Sequence, residues 1–133
     1  MMKNYVIWIV DDDTDDREIL RDAFEAGRAG DAYAFWENGD ALINGLEAHR
    51  GNGLPSLIML DLNMPGKDGR EALKEIKSNE DFHAIPIIVF TTSSSDRDKE
   101  HCYHLGANCF VTKPDTFSKL VELAKMVQSL WLP

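Results

Sequence analysis

Leu57-Ile58-Met59-Leu60-Asp61 sets four consecutive apolar residues directly before a carboxylate. Such a run, flanked by loop-forming segments, reads as a strand buried on both faces, the signature of a central strand in a parallel sheet. Two further apolar runs end on charged residues. Tyr5 to Val10 stops at Asp11 and Asp12, and Phe110 to Thr112 stops at Lys113. The carboxyl ends of parallel strands lie along one edge of the sheet, where open α/β folds place their ligands. Asp11, Asp61 and Lys113, far apart in sequence, are therefore expected to meet in one pocket.

Beyond these runs, short apolar segments alternate with segments of helical period, a pattern that argues for βαβ units and a parallel sheet. Val6 to Val10 is the expected first strand. Ile19, Leu20, Ala23, Phe24 and Gly27 recur at three- and four-residue steps and predict a helix from about Thr14 to Arg28, with Asp15 and Asp16 suited to its positive first turn. Ala32 to Trp36 is a weaker second strand, followed by a helix with Asn38 as N-cap and Ala41, Leu42, Gly45 and Leu46 along it. The segments His49 to Pro55 and Asn63 to Gly69, rich in Gly and Pro, are loops. Glu71 to Ser78 is the third helix, and Ile85 to Phe90 the fourth strand, with Pro86 tolerable only near its start. After the polar stretch Thr91 to Asp98, a fourth helix ends at Gly106, Asn108 to Thr112 makes the fifth strand, and Thr116 to Trp131 the fifth helix.

The 133 residues fit a single domain, so one unit over 1–133 with no output domain is expected. A net charge of −9 argues against a nucleic-acid surface, which needs clustered Lys and Arg. No segment approaches the roughly 20 apolar residues of a membrane span. Lys3 and the six apolar residues after Asn4 are too short for a secretory signal, so a cytoplasmic protein is expected, with Cys102 and Cys109 as thiols.

A carboxylate can accept a phosphoryl group only if the charge gathering on that group is neutralised, usually by a divalent cation and a fixed cation such as Lys. Mg²⁺ takes oxygen ligands and keeps several waters, so Asp11, Asp12 and Asp61 at strand ends suit an incomplete cage. Each element alone has a plainer reading: Asp11 to Asp16 as a solvated acidic helix start, Asp61 as a loop residue, Lys113 as a surface lysine. Their conjunction, with Thr91 ending the intervening strand, favours phosphoryl chemistry. His101 and His104 flank Cys102 on one helix, but a zinc site needs converging partners that are not evident. Trp8 and Trp36 are expected to pack.

With these residues in hand, the chain resembles a response-regulator receiver domain, the phospho-accepting half of bacterial two-component systems. The matching stretches are Ile9 to Asp13, Asp61 to Gly69, Val89 to Thr92, Gly106 to Asn108 and Lys113-Pro114. The resemblance implies a flavodoxin-like, doubly wound (βα)5 fold with strand order 2-1-3-4-5. It implies that Asp61 is phosphorylated by a sensor histidine kinase or a histidine phosphotransfer protein, and that Asp11, Asp12, Asp61 and the carbonyl of Asn63 hold Mg²⁺. Thr91 and Lys113 would each bind a phosphoryl oxygen, Thr91 and Phe110 would form the switch that signals to a downstream target, and Pro114 would follow a cis bond. Phe110 stands where this family often has Tyr, so the ring is retained without its hydroxyl. Ala107 to Pro114 and Trp131-Leu132 are similar to single-domain receivers encoded beside phytochrome-type sensor kinases.

An aspartate-nucleophile phosphatase of the haloacid dehalogenase type is the chief rival, but Asp15 stands where that family expects Thr or Val. A receiver used purely for binding would lack part of the site, and none is missing. An FMN carrier would need a Ser/Thr/Gly-rich loop after the first strand, where this chain is acidic. On the fifth helix, Leu120, Ala124, Val127 and Trp131 form one ridge and Leu123, Met126 and Leu130 a second, together with Phe117 and Val121 spanning an apolar arc of roughly 220°, twice what a surface helix needs. The second ridge predicts a homodimer or partner interface.

Overall fold

A computed structural model describes residues 4–133; Lys3 lies outside them. Five strands and five helices alternate: β1 Val6–Val10, α1 Thr14–Gly27, β2 Ala32–Trp36, α2 Gly39–Ala48, β3 Leu57–Leu60, α3 Gly69–Lys77, β4 Ile87–Thr91, α4 Asp96–His104, β5 Cys109–Thr112 and α5 Phe117–Trp131. All strand pairs are parallel, in the order β2-β1-β3-β4-β5, as expected.

Because side chains alternate across a strand, each strand feeds two cores. Trp8, Val10, Ile58, Leu60, Ile87 and Val89 face α2, α3 and α4, meeting Leu42, Leu46, Leu73, Ile76 and Cys102. Ile7, Ile9, Leu57, Met59, Ile88 and Phe90 face α1 and α5, meeting Leu20, Phe24, Leu120, Ala124 and Val127. Trp8 and Trp36 pack as expected, ring centroids 4.6 Å apart. Cys102 and Cys109 are both free thiols on opposite sides of the sheet. No helix among the described residues is long and apolar enough to cross a membrane.

Element ends differ from the sequence expectation where a cap or a proline intervenes. α3 starts at Gly69 rather than Glu71, because the Asp68 carboxylate accepts from the N–H groups of Arg70 and Glu71 at 2.8 and 3.1 Å. β4 starts at Ile87 rather than Ile85, since Pro86 has no N–H to enter the ladder, although its carbonyl accepts from Ile58 N–H at 3.0 Å. Asn108 precedes β5 because its side chain is engaged: Oδ1 accepts from Ile87 N–H and from Lys77 Nζ, both at 2.9 Å. Gly106, expected to end α4, has φ +106°, a left-handed conformation that favours glycine after a helix.

Candidate functional site

The register of the central strands aligns their carboxyl ends. Val10 pairs with Leu60, Leu60 with Val89, and Thr91 with Thr112, so the residues that follow emerge along one edge. Backbone bonds extend the ladder into the site: Asp61 N–H donates to Val10 O at 3.0 Å, Asp11 N–H to Trp36 O at 3.0 Å, and Lys113 N–H to Thr91 O at 2.7 Å. The carboxylates of Asp11, Asp12 and Asp61 thereby offer one oxygen each within 4.8 Å of one another. Asp11 and Asp61 are buried, Asp12 is exposed, and Thr91 is fully buried.

Lys113 crosses the carboxyl edge. Its Nζ lies 2.9 Å from Asp11 Oδ2, 3.3 Å from Asp16 Oδ2 and 3.8 Å from Asp61 Oδ2, and stands over the Phe90 ring. The Lys113–Pro114 bond is trans, correcting the expectation of a cis proline; the Thr91 carbonyl anchors Lys113 without it.

Electrostatics follow the crowding. Burial pushes the Asp61 carboxyl up from 3.8 to about 6; Lys113 opposes that rise, Asp11 adds to it, and the N–H groups of Asn63 and Leu62 oppose it. Burial would by itself lower Lys113, but the Asp11 hydrogen bond and the charges of Asp61, Asp11 and Asp16 together hold the ammonium above its ordinary value. The donor set is all oxygen and anionic, which suits a hard divalent cation rather than zinc.

Asn63 is exposed in the loop two residues past Asp61. That loop is held by Gly69, whose N–H donates to Leu62 O at 3.0 Å and whose missing side chain leaves room for the Asp61 carbonyl. Thr91 Oγ1 accepts from Ser93 N–H at 3.4 Å, and Ser93 is tied in turn: its hydroxyl donates to Asp98 at 2.8 Å, Asp98 also accepts from Arg70 at 2.9 Å, and Ser93 O accepts from the Thr112 hydroxyl at 2.8 Å. Phe110 is half-buried against the α4-side core, and its N–H donates to the Tyr103 hydroxyl at 3.1 Å.

Residues that the sequence reading did not assign to the site also belong to it. Asp16, assigned there only to the helix dipole, reaches Lys113. Arg17 Nη1 donates to Asp11 O at 3.1 Å, pinning the first acidic residue from α1. Beside Lys113 opens a cleft of about 440 Å³ between α1 and the β5–α5 loop, with Ile19, Pro114 and Phe117 on its walls. On α5, Leu123 is half-buried against the core, whereas Met126 and Leu130 are 58% and 68% exposed.

Comparison with known proteins agrees with this geometry. The family model described as "Response regulator receiver domain" matches residues 7–125. Response regulator Rcp1 of Synechocystis sp. is 34% identical over 130 residues, covering 96% of this chain and 88% of that protein. The crystal structure of the Mn²⁺-bound form of Rcp1 superposes with a TM-score of 0.85 at 34% identity, covering 96% of this chain and 94% of that one. The phosphorylated cyanobacterial phytochrome response regulator RcpA superposes with a TM-score of 0.84 at 32% identity, covering 98% and 95%.

Proposed function

We propose, from the premise that this chain belongs to the response regulator receiver domain family, that it accepts a phosphoryl group on Asp61 and signals by a change of shape. One observation carries the assignment: a buried carboxylate lies at the end of a central strand, within reach of two further carboxylates and of the Lys113 ammonium. In this reading an Asp61 oxygen attacks the phosphorus of a phosphohistidine, the N–P bond breaks, and the histidine leaves as imidazole. The chain catalyses only its own phosphorylation and dephosphorylation.

Asp11, Asp12, Asp61 and the Asn63 carbonyl would hold the metal, for which Mg²⁺ is the proposed ion; the Mn²⁺ form of Rcp1 supports a divalent cation here. Bound there, the cation would neutralise charge on the transferring oxygens. Lys113 supplies a positive charge from the protein, and the Thr91 hydroxyl a hydrogen bond to a phosphoryl oxygen. The Thr91 hydroxyl can donate that bond while its oxygen still accepts from Ser93 N–H, so a turn of Thr91 toward the phosphoryl group would draw along the loop tied to α3 through Ser93, Asp98 and Arg70, and Phe110 is the ring proposed to turn with it. The cleft beside Lys113 is the proposed approach for the donor histidine of a sensor kinase or phosphotransfer protein.

The exposed Met126 and Leu130 support a second contact surface on α5 and β5, used by a homodimer or by a downstream protein target. The proposed setting is the cytoplasm, with no direct contact of this domain to nucleic acid or membrane. Incubation with acetyl phosphate and Mg²⁺ followed by intact-mass measurement tests the central assignment. Wild type should gain one phosphoryl group and Asp61→Asn none; undiminished labelling of that variant would refute it. Lys113→Ala should still bind metal but fail to reach the switched state.

A further inference from the structure

Lys113 has three anionic neighbours, and two of them have other duties. Asp61 is the proposed acceptor, and Asp11 belongs to the converging carboxylates. Asp16 belongs to neither group: it sits on the first turn of α1, half-exposed, with its Oδ2 3.3 Å from Nζ. In a capping box, a Glu or Gln at this third helical position reaches back to the backbone N–H of the N-cap residue. Here that N–H is already occupied, because Asp13 donates to Asp11 Oδ1 at 2.9 Å. The Asp13 side chain meanwhile accepts from Asp16 N–H at 3.0 Å and fixes where Asp16 stands. Its carboxylate is therefore free to cross to Lys113.

We propose that Asp16 is a positioning residue that holds the Lys113 ammonium on the α1 side of the site until a phosphoryl group on Asp61 draws it away. The proposal rests on Asp61 being the acceptor. In this proposal Lys113 closes on Asp61, now its most distant carboxylate partner, to pair with a phosphoryl oxygen, and gives up Asp16 in doing so. The Asp16 contact then opposes the phosphorylated state. Partly exposed ion pairs carry a free energy equivalent to about a 1.5- to 5-fold change in an equilibrium, and that is the range by which Asp16 weakens retention of the phosphoryl group.

The probe is beryllofluoride, a phosphoryl analogue, titrated by calorimetry at saturating Mg²⁺ into the full chain. Asp16→Asn should bind it about 1.5- to 5-fold more tightly than wild type. Asp16→Glu, which keeps a carboxylate within reach, should return toward wild type. Asp15→Asn removes the same charge from the same helical turn without an ion pair to Lys113 and should have the smaller effect. In a Lys113→Ala background the gain from Asp16→Asn should vanish. No tightening in Asp16→Asn, an equal gain in Asp15→Asn, or a gain that persists without Lys113 would overturn the proposal. A wild type that binds no beryllofluoride would overturn the acceptor assignment itself, and this proposal with it.

Discussion

Asp61 is held ready for its chemistry at a cost to the fold. Its carboxyl titrates near pH 6 in the native chain and near 3.8 when unfolded, so between those values the unfolded chain is ionised while the native site still binds its proton. Stability therefore falls as pH rises from about 4 to 6, and above 6 the ionised group costs about 3 kcal/mol. Asp61→Asn should accordingly stabilise the metal-free protein by about 1 to 3 kcal/mol at pH 7.5, the lower end allowing for the lost contact with Lys113. Urea denaturation should show a clearly smaller gain at pH 5. An equal gain at both values would mean that burial does not raise this carboxyl.

The loop from Asp61 to α3 depends on a close approach that admits no side chain at its far end. A Cβ on Gly69 would stand 2.3 Å from the Asp61 carbonyl oxygen and 2.7 Å from Leu62 Cα, both backbone atoms that cannot turn aside. Gly69→Ala is expected to destabilise the domain by about 1 to 3 kcal/mol through overpacking. It should also displace the loop carrying Asn63. Thermal unfolding and acetyl phosphate labelling of the same variant check both effects: lower stability together with slower phosphorylation is the expected pair. Gly51, whose added Cβ would meet nothing within 4 Å but whose φ is +82°, makes the comparison. Gly51→Ala should lose stability through backbone strain while leaving the labelling rate intact.

Across the molecule, the site ties metal binding to folding, because only the native chain brings Asp11, Asp12 and Asp61 together. Mg²⁺ at 100 times its dissociation constant should add about 2.7 kcal/mol. The thermal midpoint should climb with Mg²⁺ and fall back on chelation, and Asp12→Ala should lose most of the rise. On the α5 face, Met126 and Leu130 stand clear of the core. Leu130→Glu is therefore expected to leave folding intact and weaken self-association, which sedimentation with and without beryllofluoride would measure. Leu123 is a poorer probe, since it packs against the α1 and α5 core and its loss would affect stability as well. A wild-type monomer in every state would leave α5 to a different protein partner.

The parallel sheet and the meeting of Asp11, Asp61 and Lys113 at its edge were legible in the sequence because their signals are local. Apolar runs such as Leu57 to Leu60 declare buried strands, and in a parallel sheet the residues just past such runs share an edge, which brought Asp11, Asp61 and Lys113 together before any geometry was known. The family resemblance added strand order and the roles proposed for Thr91 and Asn63. Other features came from folding in three dimensions. That Asp16 turns to Lys113, that Arg17 pins Asp11 O, and that Tyr103 covers the Phe110 N–H depend on which donors other groups have already occupied, a competition across distant segments that residue type does not encode. Helical periodicity likewise marked Leu123, Met126 and Leu130 as one ridge, while packing divided them, because how much of an apolar arc is covered depends on the neighbouring elements rather than on the helix's own sequence.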